Sequence, residues 1–251
     1  MLTRRVIPCL DCRDGRVVKG IQFQQLRDVG SPAEQAALYA EQGADEIVLL
    51  DVVATVAGRE NQAATVRAVR EVLAIPLTVG GGVKSIADAA RLLESGADKV
   101  SINTAAVQRP ELISELADQF GRQCIVLAVD AIQSAPGQWR VVTHSGRERT
   151  EWEVGDWCRR GEQLGAGEVL LTSWDRDGTR SGYGLDLLAH VRDFIGVPLI
   201  ASGGANSPQH LLEALQAGAD AVLAASIFHD GDYRVDEVKA FLQAAGMEMR
   251  R

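Results

Sequence analysis

The feature that most constrains the fold is an internal repeat. Residues 75–107, IPLTVGGGVKSIADAARLLESGADKVSINTAAV, align without gaps on residues 197–229, VPLIASGGANSPQHLLEALQAGADAVLAASIFH. The offset is 122 residues in a chain of 251. Self-similarity at this period means that the two halves of the chain fold as similar units.

Eight short apolar runs alternate with longer amphipathic segments along both halves. Most of these runs are continuously apolar rather than alternating, which is typical of a parallel sheet covered by helices. We expect strands at 5–11, 46–51, 77–81, 99–103, 124–130, 168–173, 199–204 and 221–226. Eight strand–helix units in one chain of this length predict a (β/α)8 TIM barrel, an α/β fold. We expect one domain over 1–251, built of half-barrels at about 1–122 and 123–251.

Composition and charge narrow the class of protein. The net charge of −8 argues against non-specific nucleic-acid binding but leaves room for local sites for anions. No stretch is apolar enough to span a membrane, and the N-terminus does not resemble a signal peptide, so we expect no membrane association and a cytoplasmic protein. Cys9 and Cys12 form a C-x-x-C, but within one strand they face opposite sides, so we expect reduced thiols. We predict no metal and no cofactor.

Two strands end in an aspartate at corresponding places in the two halves. Asp11 ends RVIPCLD, and Asp130 ends IVLAVD 119 residues later. Active sites of such barrels lie at the carboxyl ends of the strands. By parity with Cys9 and Ala128, both carboxylates would project into the mouth from opposing walls. We predict that Asp11 and Asp130 are the catalytic acid and base; the alternative is that they cap loops.

Glycine-rich turns follow strands in both halves and suggest two phosphate sites. Glycines expose backbone N–H groups, and a helix that starts after a strand adds a dipole favourable to phosphate. Two symmetry-related copies suggest a ligand with a phosphate at each end, whereas the alternative is that tight strand–helix turns simply need glycine. The candidate residues are Gly81, Gly82, Asn103 and Thr104 in the first half and Ser202, Gly203, Gly204, Ala225 and Ser226 in the second.

Four charged residues stand at the starts of strands, at the opposite end of the barrel. They are Arg5, Glu46, Lys99 and Glu168. Parity points at least three of them inward, so they would form a ring of two positive and two negative side chains. Burying charge is costly unless it is paired. The ring is either a salt-bridged plug of the barrel floor or a gate for a small neutral molecule, and the residues alone leave both readings open.

A family resemblance enters with these stretches: IPCLDCRDGRVVKGIQF, TVGGGV, GADKVSINTAAV, GAGEVLLTSWDRDGTRSGY, IASGGA and AASIFH. In this order and spacing the chain resembles the cyclase subunit of imidazole glycerol phosphate synthase, over essentially its whole length. The resemblance implies an enzyme of histidine biosynthesis that converts the bisphosphate PRFAR and ammonia into imidazole glycerol phosphate and AICAR. It implies that Asp11 and Asp130 are the acid–base pair, and that the four-charge ring admits ammonia from a glutamine amidotransferase partner in a heterodimer.

Further site residues follow from the segments after strand one and strand six. We expect Thr172, Asp177 and Gly178 at the second phosphate end, with Asp177 shaping the loop or binding a substrate hydroxyl rather than the phosphate. We also expect Lys19 to lie on a loop, 15–30, that could close over substrate.

Some segments depart from the family pattern, and two other functions remain open. Val53 replaces a usual Thr, Cys12 replaces a usual Val, and 131–152 is expected to be a long loop without function. One alternative function is the sister bisphosphate isomerase of the same pathway, which needs no ammonia and hence no ring around Lys99. The other is a non-catalytic barrel that serves as a scaffold. The presence of both aspartates and both glycine turns argues against a scaffold.

Overall fold

The computed structural model of the chain describes residues 3–21, 24–51 and 63–250. Eight parallel strands close into a barrel, as predicted, and each strand pairs with the next through to the last, which pairs with the first. In barrel order the strands are β1 (Arg5–Arg13), β4 (Ile47–Asp51), β5 (Leu77–Gly80), β6 (Lys99–Ile102), β7 (Ile125–Ala135), β10 (Glu168–Ser173), β11 (Leu199–Ser202) and β12 (Ala221–Ala224).

Helices cover the outside of this barrel. They are α1 (Pro32–Glu41), α2 (Ala63–Val72), α3 (Ile86–Glu94), α4 (Thr104–Gln108), α5 (Glu111–Phe120), α6 (Val154–Leu164), α7 (Leu185–Arg192), α8 (Pro208–Gln216), α9 (Ser226–His229) and α10 (Val235–Ala244), with a 3-10 turn at Arg122–Cys124. The elements follow the sequence repeat, because β5, α3, β6 and α4 start 122 residues before β11, α8, β12 and α9.

The segment 131–152 is not the loop that the sequence predicts. Strand β7 continues to Ala135 and pairs antiparallel with β8 (Gln138–Thr143), which pairs with β9 (Glu148–Glu153). The prediction is wrong because the short, mostly polar runs of β8 and β9 are stabilised by antiparallel pairing beyond the barrel wall, a contact that no local pattern signals.

The described residues of the segment 15–30 likewise form paired strands rather than a loop. Strand β2 (Arg16–Ile21) pairs antiparallel with the end of β1 and with β3 (Gln24–Gly30). Each half-barrel therefore extends its first strand into an antiparallel hairpin, and β1 and β7 lie on opposite walls. The side chain of Lys19 and the whole of Val53 lie outside the described part of the chain.

Side chains of the barrel strands alternate between two apolar layers, as parity predicts. Cys9 belongs to the small layer inside the barrel, whereas Cys12 packs in the larger layer between strands and helices. The inner layer consists of Ile7, Cys9, Val48, Val126, Leu170, Ile200, Ala221 and Leu223. Among the described residues, no helix is both long and apolar enough to cross a membrane.

Candidate active site

The carboxyl ends of the barrel strands enclose a cavity of about 330 Å³. The structure brings together all the residues with described side chains that the sequence singles out for catalysis and phosphate binding; the side chain of Lys19 is not among those described. The residues brought together are Asp11, Gly81, Gly82, Asn103, Thr104, Asp130, Thr172, Asp177, Gly178, Ser202, Gly203, Gly204, Ala225 and Ser226.

Asp11 lies near the end of β1 and is nearly buried in the cavity wall. The Cys9 thiol, two residues earlier on the same face of the strand, donates a hydrogen bond to Asp11 Oδ1 at 3.3 Å. Cys9 also lines the cavity, so this hydrogen bond reaches the Asp11 carboxylate from the interior of the barrel.

Asp130 faces the cavity from β7, on the opposite wall, and its environment shifts its protonation. Burial and, to a smaller extent, the charge of Asp177 raise the pKa of Asp130 to about 7. Asn103 partly opposes this shift, because its Nδ2 donates to Asp130 Oδ2 at 3.0 Å and favours the ionised form. At neutral pH Asp130 can therefore either hold or release a proton, as a general acid or base must.

Both glycine turns have a backbone that only glycine fits. Gly81 and Gly203 each have φ of 91°, in the left-handed region. A Cβ at Gly81 would lie 2.2 Å from the carbonyl oxygen of Asp51, and one at Gly203 would lie 2.8 Å from that of Ser173. The two turns thus have the same backbone conformation in both halves, and their backbone faces the cavity.

Several cavity residues escape the sequence prediction. Asp51 ends β4 as Asp11 ends its own apolar run, and the same signal would have found it. Ser101 shares parity with Lys99. His144 and Ser145 come from the tip of the β8–β9 hairpin, where the His144 N–H donates to Thr104 Oγ1 at 3.2 Å. No local pattern places that hairpin over the cavity.

Positive charge is distributed unevenly around the cavity. At the second glycine turn, Arg180 is already paired with Asp230 and Asp232. At the first turn, Lys84 lines the cavity and forms no ion pair with any residue that the structure describes. Among the described residues, the first end therefore offers an ammonium group outside any ion pair, whereas the second offers mainly backbone.

The four charged residues at the strand starts form a closed ring of ion pairs. Arg5 lies 2.8 Å from Glu46 and 3.0 Å from Glu168, and Lys99 lies 2.9 Å from each of the same two carboxylates. All four side chains are at most 14% exposed. Burial alone would raise the pKa of Glu168, but Arg5 and Lys99 outweigh it and lower that pKa. The ring is thus charged, paired and buried beneath the apolar layer that leads to the cavity.

All four cysteines are free thiols, and among the described residues no group of three or more His, Cys, Asp or Glu side chains is arranged to hold a metal ion.

This fold and cavity place the chain in the class of (β/α)8-barrel enzymes. A family model described as "Histidine biosynthesis protein" matches residues 5–234. "Imidazole glycerol phosphate synthase subunit HisF" of Halalkalibacterium halodurans is 56% identical over 100% of both chains. The proteins of the same name from Geobacillus kaustophilus and Streptomyces coelicolor are 54% and 53% identical, over 100% and 99% of each chain.

The chain belongs to the histidine biosynthesis protein family, and it is a cyclase of that pathway. The full-length relatives do not favour the isomerase, and an enzymatic role rather than a scaffold follows from the same match.

Proposed function

We propose that this chain cyclises PRFAR with ammonia to imidazole glycerol phosphate and AICAR, and that Asp11 and Asp130 share the proton transfers. The observation that carries this proposal is the position of the two carboxylates, on β1 and β7, at opposite walls of one cavity. Ring closure and fragmentation both require protons to move at separate atoms of the ligand. Carboxylates on two sides of the substrate can transfer protons at both of these atoms while the substrate stays in place.

The two glycine turns bind the two phosphates of the substrate. Gly82, Asn103 and Thr104 bind one of them, with Lys84 adding positive charge at that end. Gly178, Gly204 and Ser226 bind the other, mainly through backbone N–H groups. Asp177 orients the loop and a substrate hydroxyl, and Thr172 and Ser202, which face each other on β10 and β11, line the cavity beside the second turn.

The ring admits ammonia at the opposite end of the barrel. Ammonia is small and neutral, and the apolar layer of Val48, Val126 and Leu223 separates the ring from the cavity. Its source is a glutamine amidotransferase subunit that docks over Arg5, Glu46, Lys99 and Glu168, so that the chain functions as one half of a heterodimer.

Crystals soaked with inorganic phosphate test the two-ended site. The proposal predicts density at both glycine turns, one beside Gly82 and Thr104 and one beside Gly204 and Ser226. A turn that stays empty at saturating phosphate contradicts a ligand held at both ends. Ammonia-dependent release of AICAR from PRFAR by the isolated chain tests the reaction itself.

A further inference from the structure

A partly buried chain of polar contacts leads from helix α1 to the strand that carries Asp11. The hydroxyl of Tyr39, on α1, lies 2.7 Å from His229 Nδ1, and His229 Nε2 lies 3.0 Å from the carbonyl oxygen of Cys9. These contacts join residues that are 190 and 220 positions apart in the chain. They therefore link three separate elements, α1, α9 and β1.

For a neutral His229 imidazole, hydrogen-bond chemistry fixes the direction of both contacts. A carbonyl oxygen only accepts, so His229 Nε2 carries the hydrogen and donates it to Cys9. His229 Nδ1 is then the acceptor, and the Tyr39 O–H donates to it. Burial raises the pKa of Tyr39, which keeps its phenol protonated as this arrangement requires. The rings of Tyr39 and His229 also pack against each other, with centroids 5.8 Å apart.

His229 contacts the Cys9 carbonyl just beyond the point where the neighbouring strand β12 stops pairing with β1. The pairing of β1 with β12 ends at Pro8 and Ala224, after which the chain turns into α9. His229, the last residue of α9, reaches back and donates to the next carbonyl along β1. The Cys9 thiol in turn donates to Asp11, so the residue whose backbone is held also contacts the carboxylate.

The repeat shows that the barrel can be built without this contact chain. At the same offset the counterparts of Tyr39 and His229 in the other half are Gly161 and Val107, and Ala128 stands where Cys9 does relative to its aspartate. None of these three has a side-chain hydrogen bond to offer, and Leu127 packs over Gly161 instead. The contacts of Tyr39, His229 and Cys9 are therefore specific to the Asp11 side.

We propose that Tyr39 and His229 are positioning residues for Asp11: by holding the Cys9 backbone they fix the end of β1 and so the place of the carboxylate. This inference rests on the proposed catalytic role of Asp11. Because catalysis depends on sub-ångström placement of reacting groups, releasing this support lowers turnover more than it lowers substrate binding.

The experiment measures ammonia-dependent kcat and KM for PRFAR in Tyr39→Phe, with Tyr183→Phe as the matched control. Tyr183 is also buried, and its hydroxyl donates to a barrel-strand carbonyl, that of Leu223, at 2.9 Å. Both variants lose one buried hydrogen bond, so we expect similar decreases in Tm. Only Tyr39→Phe should lower kcat, by about tenfold, with KM within about threefold. Equal kcat values in the two variants would overturn the proposal.

Two substitutions at His229 test whether an amide that makes the same hydrogen bonds preserves turnover. The amide of His229→Gln can donate to Cys9 and accept from Tyr39, so this variant should keep more of the wild-type kcat than His229→Ala, which can do neither. Equal loss in both would show that the imidazole acts in some other way and would overturn the proposal.

A double-mutant cycle separates this proposal from the role of Asp11 itself. If Tyr39 acts through Asp11, Tyr39→Phe should cost less than about twofold in the residual turnover of Asp11→Asn. A full tenfold loss in that background contradicts positioning of Asp11. Wild-type turnover of Asp11→Asn alone would instead contradict the catalytic assignment. If Asp11→Asn leaves no measurable rate, the comparison with Tyr183→Phe decides.

Discussion

Asn103 donates a hydrogen bond to Asp130 across two neighbouring strands of the barrel, from Nδ2 to Oδ2 at 3.0 Å. This bond favours the ionised carboxylate, whereas burial and Asp177 favour the protonated form and raise the pKa of Asp130 to about 7. The protonated and the ionised form of Asp130 are therefore both populated near neutral pH. That balance affects the stability of the fold as well as its chemistry.

We predict that Asp130→Asn is more stable than the wild type above pH 7. An unfolded Asp has a pKa near 3.9, so between about pH 4 and pH 7 the folded protein binds the proton more tightly than the unfolded chain does. The free energy of unfolding of the wild type therefore falls as the pH rises through this window. Asn cannot ionise, so the variant avoids a loss of up to about 4 kcal/mol.

Denaturant unfolding at pH 5 and pH 8 measures this difference. The advantage of Asp130→Asn should be larger at pH 8 and should shrink toward pH 4. Asp193→Asn, at an exposed position, is the control and should show no such pH-dependent gain. A stability difference for Asp130→Asn that is the same at both pH values contradicts the burial argument.

The glycine turns give a second prediction. Gly81→Ala and Gly203→Ala should each raise KM for PRFAR at least about tenfold, because the new Cβ pushes the turn away from a neighbouring carbonyl oxygen. Gly137→Ala is the control, since Gly137 also has positive φ, 72°, but no atom lies within 4 Å of its would-be Cβ. All three should lose roughly 1–2 kcal/mol of stability to left-handed strain. If the KM values of the two turn variants match that of the control, the turns do not bind the substrate.

The ring gives a third prediction, which separates a gate from a plug. With the glutamine amidotransferase present, Lys99→Ala should raise the ratio of glutamate formed to imidazole product, because ammonia no longer reaches PRFAR efficiently. Turnover with saturating external ammonium should change less. Lys239→Ala is the control, since Lys239 forms another largely buried ion pair, 2.8 Å from Asp45, and neither residue belongs to the ring.

A gate and a plug predict different product ratios but the same change in stability. Either lysine variant should lower Tm, because Lys99→Ala leaves two largely buried carboxylates to share Arg5 alone, and Lys239→Ala removes the cation paired with buried Asp45. Only a gate predicts that Lys99→Ala alone changes the product ratio. A wild-type ratio in Lys99→Ala, together with a lowered Tm, would show that the ring only seals the barrel floor.

The sequence predicts the barrel well because its signals are local and repeated. Continuous apolar runs mark the eight strands, and the parity of Asp11 with Cys9 correctly indicates the inner face. The ring could also be anticipated, because each of its members immediately precedes or begins a strand. Predicted strand ends differ by a few residues where the chain turns sharply, as at Gly81 and Gly203.

The missed features depend on contacts between distant parts of the chain. The sequence of the β8–β9 hairpin predicts a polar loop, because the pairing that makes it a sheet depends on the extension of β7. The cavity wall at His144 depends on that hairpin. The contact of Tyr39 with His229 joins α1 to α9 across 190 positions, and no spacing or composition points to it.

Ammonia-dependent turnover of PRFAR by Asp11→Asn and Asp130→Asn shows whether Asp11 and Asp130 share the acid–base work. Asn keeps the shape of each side chain but cannot exchange a proton. We expect each variant to lose roughly 10²–10⁴-fold in kcat while KM stays within a few-fold of the wild type. Near-wild-type kcat in either folded variant would contradict that shared role.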